Sequence, residues 1–267
     1  MKRSDDLIFD LGVHTGEDTA FYLKKGFRVV GVEANPDLCS ELRRTFAAEI
    51  ARGQFLLVEA AISESEGSGV FYQFEKTVWG TTSADWADRN EHMGRSYREV
   101  EVKYISPIHL YSEYGIPYFM KVDIEGADML CIAALHDVPK PKFLSVEAEK
   151  HDIDKFTREL RIISDLGYTE FQLVQQEYVP FQRLPRPPRE GNEIRHRFAF
   201  GSSGMFGNDL PERRWRDFDS TLERYQRIVQ RHSLFGDYAL GRNRIARHLL
   251  RATGLYPGWH DLHARLS

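Results

Sequence analysis

The sequence predicts an α/β fold, in which a mostly parallel sheet is covered by helices on both faces. Apolar runs of strand length alternate with amphipathic segments of helix length, which is typical of such sheets. The first apolar run, Leu7 to Asp10, leads through a glycine-containing turn directly into a helix-length segment. The chain has 267 residues, of which 42% are hydrophobic, and no Pro/Gly/Ser-rich linker divides it into two apolar blocks. One large domain with a well-buried core is therefore expected.

The predicted elements follow this alternation along the chain. The strands are expected at Leu7–Asp10, Arg28–Glu33, Phe55–Val58, Val70–Phe74, Tyr118–Asp123, Phe143–Glu147, Phe171–Tyr178 and His196–Phe200. The helices are expected at Gly16–Lys25, Pro36–Arg52, Gly126–Leu135, Ile153–Leu166 and across residues 215–250. Residues 75–106 are less regular and are interpreted as an excursion that covers a bound ligand. Residues 1–200 form the predicted domain, and residues 201–267 form an arginine-rich helical extension packed on it.

Composition and charge exclude several classes of protein. Cys39 and Cys131 lie far apart without a CxxC pattern, so neither a disulfide framework nor a structural zinc site is expected. No stretch is long and apolar enough for a signal-peptide core or a membrane span, which predicts a cytoplasmic protein. Residues 1–155 carry 18 basic and 27 acidic side chains, whereas residues 156–267 carry 18 and 13. The excess of basic side chains in residues 156–267 indicates either solvated helix faces or an anionic partner, such as a phosphate-bearing carrier or an acidic glycan.

The turn after the first strand has the sequence Asp10-Leu-Gly-Val-His-Thr-Gly16. Glycines four residues apart let the backbone approach a ligand closely, and the following helix start can donate amides to an anion. The dinucleotide fingerprint requires glycines at offsets zero, two and five, but those offsets from Gly12 give Gly, His and Asp. The acid-x-Gly-x-x-x-Gly arrangement fits adenosylmethionine-binding loops instead. An ordinary tight turn is the alternative.

Glu33 ends the second predicted strand, 23 residues after Asp10. A carboxylate at this position can accept hydrogen bonds from both ribose hydroxyls of a nucleoside. Glu33 alone does not separate the classes of nucleotide, but together with the Gly12/Gly16 spacing it favours adenosylmethionine.

The segment Lys121-Val-Asp-Ile-Glu-Gly126 places further carboxylates at the end of a buried strand. Asp123 is expected to point into the crevice where ligands bind in open α/β sheets. Its alternative role is that of a helix N-cap, and Glu125 could serve simply as a first-turn acid of the next helix.

Four motifs together resemble the FkbM family of methyltransferases: Phe9–Gly16, Val32–Pro36, Ala60–Ser63 and Lys121–Gly126. The resemblance covers roughly residues 7–172, with one departure, since the family usually has Ala-Asn where this chain has Val13-His14. It implies a Rossmann-like class I methyltransferase fold with a seven-stranded sheet and an antiparallel last strand. It also implies that S-adenosylmethionine methylates a hydroxyl of a sugar, glycan or secondary metabolite. The cofactor-binding residues are then Asp10, Gly12, Val13, His14, Thr15, Gly16, Glu33, Ala34, Ala61 and Asp123.

A hydroxyl becomes a good nucleophile when a base removes its proton or a metal stabilises its charge. Asp123 and His151 are the candidate bases, because they follow two strands that are neighbours in this type of fold. Asp123, Glu147 and Glu149 could alternatively hold a divalent cation such as magnesium. A role of Glu149 in capping the next helix is an equally simple interpretation.

The predicted contacts with the methyl acceptor are scattered along the chain. They are Trp79, Ser83, Glu125, Glu149, Ser202 and Ser203. Core packing explains a tryptophan equally well, and the serines could belong to a plain turn. The acceptor is expected to be a small molecule or glycan, in some cases linked to a carrier.

Two other classes of function remain open at this level. A nicotinamide-dependent oxidoreductase would use a related sheet, but the third glycine and a Tyr-x-x-x-Lys dyad are missing. A non-catalytic protein could bind an anionic partner through the arginine-rich C-terminal part. Nucleic acid is not the expected partner, because the sequence has no basic-aromatic motif and the net charge is -4.

Overall fold

The computed structural model describes residues 1, 3–74, 80–82, 96–124, 126–236 and 239–267. Within these residues the chain forms two compact units. The first unit contains residues 1–144 and 186–196, and the second contains residues 145–185 and 197–267. This division does not fall at residue 200, the predicted end of the first domain.

Ten strands and eight α-helices are described. The strands are β1 (Arg3–Leu11), β2 (Arg28–Glu33), β3 (Phe55–Glu59), β4 (Ala61–Ile62), β5 (Gly67–Phe74), β6 (Tyr97–Ile105), β7 (Ile116–Val122), β8 (Phe143–Glu147), β9 (Tyr168–Gln175) and β10 (His260–Leu266). The helices are α1 (Glu17–Lys24), α2 (Pro36–Thr45), α3 (Ala47–Ala51), α4 (Pro107–Tyr114), α5 (Asp128–Ala133), α6 (Ile153–Asp165), α7 (Phe218–Phe235) and α8 (Arg244–Ala252). None of the described helices is both long enough and apolar enough to cross a membrane.

Seven strands form one sheet in the order β3-β2-β1-β7-β8-β10-β9. Strand β1 pairs in parallel with β2 on one side and with β7 on the other, and β2 pairs in parallel with β3. Strands β9 and β10 are antiparallel. The predicted seven-stranded, mostly parallel sheet with an antiparallel last strand is thus confirmed. The strand order reverses between β1 and β7, and ligands of open α/β sheets bind at such a reversal.

The first unit has its core around β1 and β7. All seven residues of β7 are buried, as are the last five of β1, because each strand is covered on both faces. Helix α2 begins at Pro36, and the Asn35 side chain accepts hydrogen bonds from the amides of Asp37 and Leu38. This cap fixes the chain immediately after the tip of β2. A small second sheet, in the order β4-β6-β5, belongs to the same unit.

The second unit is built around the β9–β10 pair and helices α6 and α7. The Tyr225 ring of α7 stacks on the Phe156 ring of α6, with ring centroids 3.7 Å apart. Helix α7 also packs on β9, and a short bridge joins Phe171 of that strand to Arg216 before the helix.

The strand expected at His196–Phe200 is absent, and β10 near the end of the chain pairs with β9 instead. Five of the seven β10 residues are buried, whereas Phe200 is exposed. The sequence of β10, HDLHARL, carries two histidines and an aspartate, and therefore does not look like a buried strand. The region 201–267 is consequently not a purely helical extension.

Two predicted helices are each divided in the structure. The helix expected over Pro36–Arg52 breaks at Phe46, whose ring packs edge-on against the Phe55 ring at 5.2 Å. The segment 215–250 contains two helices, α7 and α8, rather than one.

Candidate functional site

The glycine-containing turn brings the ends of β1 and β7 into close contact. The amide of Asp123 donates to the Leu11 carbonyl at 2.9 Å, and the amide of Gly12 donates to the Val32 carbonyl at 3.0 Å. A Cβ atom at Gly12 would lie only 1.9 Å from the Asp123 carbonyl oxygen, and the φ angle of Gly12 is +86°. Glycine is therefore required at position 12 by both space and backbone conformation.

The carboxylate of Glu33 organises the backbone around the turn. One of its oxygens accepts the amide of His14, and the other accepts the amide of Asn35, each at 2.8 Å. Burial raises the pKa of Glu33, while these backbone hydrogen bonds oppose the shift. A carboxylate has about four lone-pair sites, so Glu33 retains capacity to accept hydroxyl donors.

His14, the departure from the family pattern, has a left-handed backbone with φ of 54°. This conformation directs its amide toward Glu33, so the backbone of the residue contributes to the turn. Burial is the largest influence on the imidazole of His14 and lowers its pKa. The Thr15 hydroxyl lies 3.2 Å from Nδ1 of His14 and donates to the Glu17 carboxylate at 2.6 Å.

A buried lysine joins the two strand ends electrostatically. Lys121 Nζ lies 3.5 Å from an Asp10 oxygen, 3.7 Å from an Asp18 oxygen and 3.2 Å from an Asp123 oxygen. It also donates to the Gly12 carbonyl at 3.3 Å. Its side chain is only 5% exposed, so one ammonium group is shared among three carboxylates with little water. We call this group, which contains three carboxyl groups and one ammonium group, the Lys121 cluster.

Sequence reasoning missed the role of Lys121, although the residue belongs to the quoted Lys121–Gly126 motif. The available signal was a single charged residue in the otherwise uncharged strand Ile116–Val122. A buried ammonium needs counter-charges, and acidic residues at the tips of the neighbouring elements could supply them.

Asp10 and Asp123 differ sharply in accessibility. Asp10 is fully buried, and the Thr19 hydroxyl donates to one of its oxygens at 2.6 Å. Burial raises the pKa of Asp10, and Lys121 opposes this shift. The visible role of Asp10 is to position Thr19 and Lys121, and its direct contact with a ligand stays a prediction. The Asp123 side chain is 49% exposed and is available to a ligand.

The alternative role of Asp123 as a helix N-cap is wrong. Helix α5 begins after Ala127, without a side-chain cap. The Asp128 carboxylate accepts the amide of Ile124 at 3.1 Å instead, and thereby holds the turn that follows Asp123.

The remaining predicted cofactor residues line the same part of the first unit. Val13 is buried, and its Cγ2 atom would lie 2.6 Å from a Cβ at Gly31. Ala61 is buried with Phe71 and Val102, and Ala34 packs against this group. The small side chains at 34 and 61 therefore lie together beyond the tip of β2, next to Glu33.

Five predicted residues belong to the second unit and are described within it. Glu147 pairs with Lys150 at 2.7 Å, and Glu149 pairs with Lys155 at 2.9 Å. Burial alone would raise the pKa of Glu149, but the hydrogen bonds from Lys155 and from the His151 and Lys150 amides lower it to about 2. Asp152, rather than Glu149, caps α6. The His151 ring contacts the His232 ring at 5.0 Å between centroids.

Ser202 and Ser203 are both buried, and the Ser202 hydroxyl donates to the Ala199 carbonyl at 2.8 Å. Trp79, Ser83 and Glu125 lie outside the described residues. The contacts of all these residues with an acceptor stay predictions.

No group of three or more His, Cys, Asp or Glu side chains in the described part of the chain is arranged to hold a metal ion. The magnesium alternative at Asp123, Glu147 and Glu149 therefore finds no support from the clustering of these side chains.

The sheet order, the glycine turn and the acidic tips of β1, β2 and β7 define a Rossmann-like α/β protein with the class I methyltransferase fold. The profile of the methyltransferase FkbM domain matches residues 10–170. Since this match spans more than half of the chain, the protein belongs to the FkbM methyltransferase family. The predicted family is confirmed, and an oxidoreductase on a related sheet is not supported.

Solved structures give weaker similarities. A methyltransferase FkbM from Methylobacillus flagellatus is 16% identical with a TM-score of 0.39; the alignment covers 64% of this chain and 40% of that chain. A precorrin-6y C5,15-methyltransferase from Geobacter metallireducens is 13% identical with a TM-score of 0.36, over 100% of this chain and 82% of that chain. No curated protein sequence matches significantly. Family membership therefore rests on the sequence profile.

Proposed function

We propose that this chain is an S-adenosylmethionine-dependent O-methyltransferase that acts on a hydroxyl of a sugar, glycan or secondary metabolite. The observation that carries the proposal is the Lys121 cluster, which lies at the reversal of strand order beside the Glu33-organised turn. The acceptor is expected to be a small molecule or glycan, in some cases held on a carrier.

Two features of the first unit fit this cofactor. The Lys121 cluster has more carboxyl groups than ammonium groups, which suits a ligand that carries an ammonium and a sulfonium group. Glu33 lies at the tip of β2 with unused lone pairs, which suits the two ribose hydroxyls. When bound, S-adenosylmethionine supplies an electrophilic methyl group. The protein residues need only hold the acceptor in line with that group and remove the hydroxyl proton.

Asp123 is the preferred candidate for the base in this proposal. Its carboxylate is half exposed, and Lys121 holds one of its oxygens at 3.2 Å. The exposed part of this carboxylate is the candidate proton acceptor. His151 is the second candidate, since its imidazole is exposed and has a ring nitrogen that can accept a proton.

Calorimetric titration with S-adenosylhomocysteine tests the cofactor. We expect Glu33→Gln to weaken binding by about 10-fold or more, since one charge-assisted hydrogen bond is lost. Glu59→Gln is the matched control, because Glu59 ends the neighbouring strand β3 in register with Glu33 but pairs with Arg43 at the surface. The affinity of the Glu59→Gln variant for S-adenosylhomocysteine should change less than 2-fold. Absence of S-adenosylhomocysteine binding to the unaltered protein, or tighter binding of NADH, would contradict the proposal.

Methyl transfer to a panel of sugars and secondary metabolites tests the base. Asp123→Asn should lower kcat by about 100-fold or more if Asp123 is the base, with S-adenosylhomocysteine affinity measured in parallel. His151→Gln should then leave kcat within a few-fold. The reverse pattern would assign the base to His151.

A further inference from the structure

The second unit contains a group of arginines that form no ion pair with the described residues, although the Asp217 carboxylate is close enough to Arg216 to interact with it electrostatically. Arg214, Arg216, Arg224 and Arg231 have no ion pair and no side-chain hydrogen bond to any of the described residues. We call these four residues the arginine group. Other arginines of the unit are paired: Arg265 with Glu170 and Glu212, Arg251 with Glu177, and Arg227 with Glu223.

Two members of the arginine group lie on α7, and the other two lie in the segment immediately before it. Arg224 and Arg231 are seven residues apart on α7, which places them on the same face two turns from one another. The bridge between Arg216 and Phe171 holds the chain before α7 against β9, on which α7 packs. Arg214 ends the short turn immediately before Arg216.

Arg224 is the member of the group with a buried nitrogen that has no acceptor. Its Nε atom is buried and has no hydrogen-bond partner. Burial lowers the pKa of this guanidinium, and Arg216, Arg214, Arg231 and Arg227 lower it further. A buried N–H donor without an acceptor is costly, and an oxyanion would satisfy it.

His260 of β10 adjoins the same group. Burial lowers its pKa to about 3, and Arg224, His232 and Arg231 contribute to the shift. The neighbouring imidazole is therefore neutral at pH 7, where it can still donate one hydrogen bond without adding to the positive charge.

We propose that the arginine group is a binding site for a phosphate-type oxyanion, with Arg224 as its central donor. Guanidinium groups bind phosphate by paired N–H donors, and several of them at one place favour a dianion over a monovalent ion. The source is either free inorganic phosphate or the phosphate ester of a larger molecule.

Calorimetric titrations of the full-length protein test the site, with inorganic phosphate and glucose 6-phosphate as separate probes and chloride at equal ionic strength as reference. We expect Arg224→Gln and, as a second variant, Arg231→Gln to weaken phosphate binding by about 10-fold or more. Arg251→Gln is the control, since it removes one positive charge of the same unit from an arginine that is already paired. The Arg251→Gln substitution should change the affinity for phosphate less than 2-fold.

Tighter binding of glucose 6-phosphate than of phosphate would identify an ester as the ligand, and the opposite order would identify the free ion; either supports the site. An affinity for phosphate that does not exceed the affinity for chloride would overturn the proposal. So would equal weakening by Arg224→Gln, Arg231→Gln and Arg251→Gln, because that result indicates a diffuse charge effect. Circular dichroism shows whether each variant is folded. S-adenosylhomocysteine binding is measured separately, so failure here is distinguishable from failure of the methyltransferase proposal.

Discussion

The Lys121 cluster and the arginine group differ in the charges that surround a poorly solvated cation. In the first unit, one buried ammonium is surrounded by Asp10, Asp18 and Asp123. In the second unit, Arg224 has a buried donor and only cations among the charges that act most strongly on it. The first arrangement contains its own counter-charges and can be rigid without a ligand. In the proposed site the second arrangement is completed by an anion, so the two regions should respond differently when charges are removed.

Removal of Lys121 should have the largest effect. Lys121→Met removes the ammonium that lies within 4 Å of the buried Asp10 and Asp18 carboxylates, and we expect the free energy of unfolding to fall by about 3–5 kcal/mol. Urea denaturation measures the loss. Lys103→Met, which removes an exposed lysine of the same unit, should change stability by less than about 1 kcal/mol. A loss below about 1 kcal/mol for Lys121→Met would show that the cluster is not held together by its ammonium.

Crowding the turn should have the next largest effect. Gly12→Ala introduces a Cβ against the Asp123 carbonyl and also strains φ, with an expected cost of about 3 kcal/mol. Gly53→Ala separates the two causes, because Gly53 has φ of +70° but no atom within 4 Å of the added Cβ. The control should cost about 1 kcal/mol. Similar losses for the two variants would mean that backbone strain, and not contact between β1 and β7, requires Gly12.

Acid should weaken the already cationic second unit. Burial lowers the pKa of His263 to about 3, as it does that of His260. The unfolded chain binds these protons near pH 6.5 and the folded chain does not, so their stability contribution is complete above pH 6.5 and is lost as the pH falls toward 3. We expect a loss of about 2 kcal/mol between pH 7 and pH 5.5 in urea denaturation.

His263→Leu should reduce the pH dependence, whereas replacement of the exposed His136 by Gln should not. An unchanged slope in His263→Leu would show that His263 titrates equally in the folded and unfolded chains.

The smallest effect is expected at the arginines themselves. Arg224→Met removes an unpaired guanidinium and should change stability by less than about 1 kcal/mol, or increase it. Arg265→Met breaks the contacts with Glu170 and Glu212 and should cost about 1–2 kcal/mol. Urea denaturation in phosphate-free buffer measures both changes in the free energy of unfolding. If Arg224→Met lowered the free energy of unfolding more than Arg265→Met does, Arg224 would have a stabilising partner in the folded protein.

The sequence predicts the nucleotide-binding half of the fold well, because local patterns dictate it. Gly12 and Gly16 follow a buried strand, and Glu33 ends the next one, so strand pairing alone brings them to one edge. The role of Lys121 could not be predicted, because its partners Asp10 and Asp18 are distant in sequence. They come close to Lys121 only when β1 and β7 pair. Strand β10 could not be predicted either, because its polar residues are compatible with burial only when the neighbouring strands are present.

The position of β10 has a consequence for how the protein is made. Strand β9 ends at Gln175, and the strand that pairs with it begins roughly 85 residues later, at His260. At typical rates of synthesis, β9 is exposed for about 4–17 s before its partner leaves the ribosome. During that interval its unpaired edge is open to any other extended chain. We expect chaperones that bind nascent chains to protect this edge, and fusions that slow synthesis between residues 175 and 260 to increase aggregation.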